Sequence, residues 1–132
     1  MVLAHGLVAL IPTSLERVVE ALRRIDIASN VYYEVIEGEP RIAFFVGEKY
    51  FFRAGNYLSA VVIAIELSGR VVLRVIATGG RRGLLDFFDL GSSKTYAREI
   101  IERIGKITGI MPQIISEVDY LDAGKSEKLW KY

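Results

Sequence analysis

Between Ser29 and Gly80 the chain runs as four apolar, β-branched segments separated only by short turn signals at "GEP" (38–40), "AGN" (54–56) and "SG" (68–69). No helix fits into connections of that length. Consecutive strands must therefore fold back on one another, and the sheet they build is mainly antiparallel. The last of the four, "RVVLRVIATGG", alternates Val71, Leu73, Val75 and Ala77 with Arg70, Val72, Arg74 and Ile76. Strand side chains alternate between faces, so the odd positions are read as core-facing and the two arginines as facing water. Gly47 falls inside the long third strand, where a missing side chain marks a bulge or a break.

Helical periods flank this meander. After Pro12, "TSLE" reads as a capping box opened by Thr13 and closed by Glu16. Leu15, Val18, Val19, Leu22 and Ile25 follow at helical spacing, with Glu16, Arg17, Glu20, Arg23 and Arg24 on the other side. A second stripe, Ala97, Ile100, Ile101, Ile104 and Ile107, predicts a helix that Gly109 and Pro112 terminate. Met1 to Ile11 reads as a strand buried on both faces, "QIISEVDYL" as a last strand, and residues 122–132 as a polar tail carrying the one tryptophan. The expected fold is a single domain over 1–132. It is an α+β two-layer sandwich, with a sheet of four to six strands and two helices on one face.

Composition bounds the chemistry. Of the 132 residues 52% are hydrophobic, enough for a real core and more than a small monomer ordinarily needs, which points to a subunit interface. There is no cysteine, so disulfides, thiolate catalysis and cysteine metal sites are excluded, and a cytoplasmic location is expected. A single histidine, His5, excludes a two-histidine site within one chain; in its apolar strand it reads as a buried histidine without chemistry. The abundance of Ile and Val, the excess of Arg over Lys and the few amide side chains suggest a thermophilic source. Neither apolar stretch, 1–11 or 57–67, is long enough to cross a bilayer as a helix, and no membrane partner is expected.

The net charge is +1, but Arg70 to Lys106 holds eight basic residues against four acids, a local +4 that leaves −3 for the rest. That bias falls on "TGGRRGLLDFFDLGSSKTYAREI" (78–100). The P-loop pattern fails there because Ser93, not glycine, precedes Lys94, and the GxGxxG fingerprint fails on spacing. What survives is a generic anion site: Arg81 and Arg82 in the loop, Ser92 or Ser93 as N-cap of the second helix, and Lys94 in its first turn. The competing reading is a glycine turn, solvated arginines and a plain cap. Asp86 and Asp89 read as solvated or arginine-paired carboxylates rather than a magnesium or acid–base pair. The two serines have no base partner in sequence.

Aromatic residues come in adjacent pairs: Tyr32–Tyr33, Phe44–Phe45, Tyr50 to Phe52 and Phe87–Phe88. On a strand each pair sends one ring to either face. With both helices on one side, the other face carries exposed rings, read as a subunit interface, an apolar ligand cavity or a base-stacking surface. Which ring of each pair faces outward is not legible. The basic and aromatic pattern of RNA-binding sheets is missing, so nucleic acid is disfavoured.

The layout "EKYFFRAGNYLSAVVIAI…ATGG…GLLDFFDLGSSKTYAREI" resembles a small family of uncharacterised prokaryotic proteins, over about the last two thirds of the chain. The resemblance implies an α+β fold and carries no activity, cofactor or site residue with it. Two expectations follow for function. One is a non-enzymatic domain that forms a homo-oligomer through the aromatic sheet face, without a cofactor. The other is a module binding a small anionic, phosphate-bearing ligand at Arg81, Arg82, Ser93 and Lys94.

Overall fold

The computed structural model describes residues 4–51, 56–79, 92–119 and 122–131. Strand β1 (Ala4–Ile11) is followed by α1 (Leu15–Arg23), then β2 (Ser29–Ile36), β3 (Ile42–Phe51), β4 (Asn56–Leu67) and β5 (Arg70–Gly79). Helix α2 (Ser92–Thr108), β6 (Gln113–Asp119) and α3 (Ala123–Trp130) complete the order. The six strands form one sheet in the order β2-β3-β4-β5-β1-β6. Every neighbouring pair is antiparallel, as the short connections require. The tightest is the two-residue hairpin at Ser68–Gly69, where Gly69 takes a φ of 73° that favours glycine.

Side-chain parity sorts the sheet into two faces. Leu7, Ala9 and Ile11 of β1, Ala43 and Phe45 of β3, Leu58, Ala60, Val62 and Ala64 of β4, and Val71, Leu73, Val75 and Ala77 of β5 all point to one side. There they meet Leu15, Val18, Ala21 and Leu22 of α1 and Ala97, Ile100, Ile101 and Ile104 of α2 in a continuous core. Arg17 of α1 donates to the Thr108 carbonyl at 2.6 Å, placing a cation at the C-terminal end of α2. The two-layer α+β arrangement and the odd-numbered core of β5 are as the sequence pattern indicates.

Several local expectations need correction. The N-cap of α1 is Ser14, whose hydroxyl accepts from the Arg17 amide at 3.3 Å, not Thr13. Thr13 is used one step earlier, its amide closing a turn onto the Ile11 carbonyl at 2.9 Å. Glu16 binds Arg41 instead of closing a capping box. Gly47 neither breaks nor bulges β3. The irregularity lies in the partner strand, where the β2–β3 register slips between Ser29 and Tyr32. A Cβ at Gly47 would stand 3.0 Å from the Ala28 Cβ and 3.1 Å from the Phe45 ring, so the glycine lets β3 lie close beneath the chain entering β2.

The polar tail is a helix. Asp122 caps it, accepting from the Lys125 amide at 2.7 Å. α3 lies on the face opposite α1 and α2: Leu129 packs with Val8, Val72 and Val118, the even-numbered positions of β1, β5 and β6. Covered on both faces, β1 is apolar except for His5, as a covered strand tends to be.

Candidate functional site

α3 reaches only the β5-β1-β6 half of its face. The β2-β3-β4 half has no helix over it among the described residues, and the register sets its apolar side chains in rows. One row runs Tyr32, Val46, Val61 and Ile76 across β2 to β5, and the next Ile36, Ile42, Ile65 and Val72. Between them lies Glu34, Phe44, Ile63 and Arg74. At the far end Tyr50 and Tyr57 face each other across β3 and β4, ring centroids 5.2 Å apart and edge to face. Tyr32, Tyr57, Ile36, Tyr50 and Val46 are all more than a third exposed, Tyr32 the most at 56%. Arg74 closes the α3 side of the patch, its guanidinium donating to the Trp130 carbonyl at 3.1 Å, with the Trp130 ring exposed beside it.

The aromatic pairs thus divide between the faces. Phe45 is fully buried under the helices, and its neighbour Phe44 lies half-buried on the open side. Tyr33 turns to the helical side, where the Arg23 guanidinium stands 5.7 Å from its ring centroid. The side chain of Phe51, Phe52 and the pair Phe87–Phe88 lie outside the described residues.

A second cluster sits at the other edge of the sheet. His5 is 2% exposed, beneath α2. Its Nδ1 is 2.7 Å from an Asp119 carboxylate oxygen and its Nε2 is 2.7 Å from one of Glu117. Both carboxylates are served at once only when both ring nitrogens carry protons. Glu117 also accepts two hydrogen bonds from Arg98 of α2, from Nε at 3.0 Å and from Nη2 at 2.5 Å. The Arg98 guanidinium first, and His5 after it, hold the Glu117 carboxyl below its usual range against the opposing effect of burial. These bonds tie β1, β6 and α2 together. With the imidazole sealed from solvent, the cluster is built to hold elements in place. The sequence offers His5 only as a lone residue, because Arg98, Glu117 and Asp119 are brought to it by pairings more than ninety positions away.

Of the residues expected to bind an anion, Arg81 and Arg82 lie outside the described residues, as do Asp86 and Asp89. Ser93 is buried in the first turn of α2, and Lys94 beside it is exposed. α2 begins at Ser92, and the capping side chain expected at Ser92 or Ser93 lies outside what the described residues show.

Among the described residues, a six-stranded antiparallel sheet with two helices across one face and one helix across half of the other defines an α+β domain whose sheet is half-open. The chain belongs to DUF6054, a family of unknown function, whose profile matches residues 11–108. No curated protein and no solved structure matches it. The matched span contains the whole of the open half-face and Arg98, whereas His5, Glu117, Asp119 and α3 lie outside it. No described helix is long and apolar enough to cross a membrane.

Proposed function

We propose that this chain is a non-enzymatic interaction domain that associates with a second copy of itself through the open half of its sheet. The observation that carries the reading is the set of exposed apolar and aromatic side chains on the open face of β2, β3 and β4, Tyr32, Ile36, Val46, Tyr50 and Tyr57, with Glu34 and the Glu48–Ser59 pair set among them. Three strands about 4.8 Å apart and ten residues at about 3.3 Å each give a face of roughly 500 Å². The largest apolar patch of a monomer is of this order and is often functional, and here polar side chains at Glu34, Glu48 and Ser59 punctuate the apolar ones. Two such faces, packed about 10 Å apart, bury about 1,000 Å² between them, the size at which specific interfaces begin. Tyrosine suits the role because it supplies a large apolar surface with a hydroxyl that tolerates water. The absence of cysteine fits assembly in a reducing compartment such as the cytoplasm.

The test is light scattering across the micromolar range on the wild type and on Tyr57→Lys and Tyr32→Lys. The wild type is expected to dimerise, and both variants to remain folded by circular dichroism while running as monomers. Phe45→Glu is the contrast: it places a carboxylate in the core and unfolds the chain. A wild type that stays monomeric throughout, or variants that dimerise unchanged, would refute the proposal.

A further inference from the structure

The two edges of the sheet are treated very differently. β6 is guarded in the ways natural sheets use against unwanted pairing. α3 packs beside it, the β1–β6 ladder is bulged at Val8/Ala9, and Glu117 points inward to His5. From Tyr32 onward β2 has none of these guards among the described residues. Val31, Tyr32, Tyr33, Val35 and Ile36 are each at least 37% exposed, and the strand contains no lysine, arginine or proline. Among the described residues no strand pairs with its outer side and no backbone hydrogen bond reaches it. The bulge on β2 lies at its start, between Ser29 and Tyr32, and the stretch from Tyr32 onward pairs regularly with β3. Alternate N–H and C=O groups along that stretch are presented outward, a template for another strand.

From this we infer that the outer edge of β2 is a self-pairing site, whose partner is β2 of a second copy, antiparallel and centred on Tyr33. The sequence supplies the complementarity. "VYYEV" (31–35) is nearly palindromic about Tyr33. A two-fold axis at that residue sets Tyr33 against Tyr33, Val31 against Val35, and Tyr32 against Glu34, so no like charges meet. Moving the axis to Glu34 would oppose two carboxylates. Moving it to Tyr32 would drive the pairing through Asn30 and Ser29, across the bulge. Directly opposed residues of antiparallel strands share a face, so the axis stands perpendicular to the sheet. Both helical layers then lie on one side of a continuous twelve-stranded sheet, and both open faces on the other. The site is distinct from the face-to-face association proposed above and can operate with or without it. Five residues a side bury far less than about 1,000 Å², so the pairing exchanges rapidly and is best detected by trapping.

The natural chain has no cysteine, which makes a single introduced thiol informative. Opposed residues of antiparallel strands have Cα atoms about 4.5–5.5 Å apart, within the span a disulfide bridges. Tyr33→Cys is therefore expected to form a covalent dimer with diamide. Ile36→Cys has nearly the same exposure, 44% against 45%, but its symmetry mate lies about 20 Å away at roughly 3.3 Å per residue. Crosslinking of Tyr33→Cys should be faster by about tenfold or more, because pairing raises the local thiol concentration. Adding Val35→Lys should return it to the Ile36→Cys rate, while adding Tyr57→Lys, on the open face, should leave it unchanged. Equal rates for Tyr33→Cys and Ile36→Cys overturn the edge pairing. So does loss of the Tyr33→Cys crosslink on adding Tyr57→Lys, a result that would leave the face-to-face reading standing alone.

Discussion

Glu117→Ala tests whether the clasp at His5 stabilises the fold. The substitution removes three hydrogen bonds at once: the acceptor of His5 Nε2 and both bonds from Arg98. The two losses differ in size. The Arg98 side chain is 47% exposed, so water replaces much of what it gives up and the pair is worth at most about 1 kcal/mol. His5 is 2% exposed, and a buried donor stripped of its acceptor costs about 1–3 kcal/mol. The expected total is about 2–3 kcal/mol, a fall in melting temperature of roughly 8–12 °C for a domain of this size. Arg98→Ala alone should cost under about 1 kcal/mol, and Glu117→Gln should fall between, since its amide oxygen still accepts from the imidazole. Denaturant unfolding followed by circular dichroism measures all three. The pH dependence supplies a second reading. The folded-state pKa of Glu117 lies below the ordinary 4.5, chiefly through Arg98. A carboxylate of that kind stabilises fully above its unfolded value and loses the contribution as pH falls through its folded one. The gap between wild type and Glu117→Ala should hold near neutrality and close below about pH 4.5. A gap under about 0.5 kcal/mol at pH 7, or one that persists undiminished well into the acid range, would show that the cluster does not hold the fold in the way its geometry indicates.

Two further expectations concern packing. Leu22→Ala removes a fully buried side chain between α1 and the sheet and should cost about 2–5 kcal/mol in the same unfolding experiment, whereas Arg23→Ala, exposed beside Glu20 and Tyr33, should cost under about 1 kcal/mol. Gly47→Ala presses a methyl against Ala28 and the core ring of Phe45 and should lose about 1–3 kcal/mol; unchanged stability would mean that the approach of β3 to the chain before β2 does not need a glycine.

The elements of this fold are written locally in the chain. Alternation in "RVVLRVIATGG" assigns the core face of β5 because strand parity is a property of the backbone, and the stripes Leu15 to Ile25 and Ala97 to Ile107 assign the helices for the same kind of reason. Short turns between strands dictate antiparallel pairing. Finer positions escape, because a capping hydroxyl is chosen by the turn that precedes it: Thr13 is drawn into the bend after Ile11, and Ser14 caps instead. The features on which the functional proposal rests are tertiary. Nothing in "YY" or "FF" says which ring faces the helices until α1 and α2 settle on one side of the sheet; Phe45 then goes in, and Tyr32 is left out with Val46 beside it. "DAGKSEKLWKY" looks polar because a single leucine, Leu129, suffices to seat α3, and that seating covers part of the second face of the sheet and leaves the rest open among the described residues. His5 reads as an isolated buried histidine because its partners come from β6 and α2. A carboxylate at 2.7 Å on each ring nitrogen is a consequence of placing β1 between β5 and β6, a choice made by packing over the whole sheet and encoded in no single stretch of sequence.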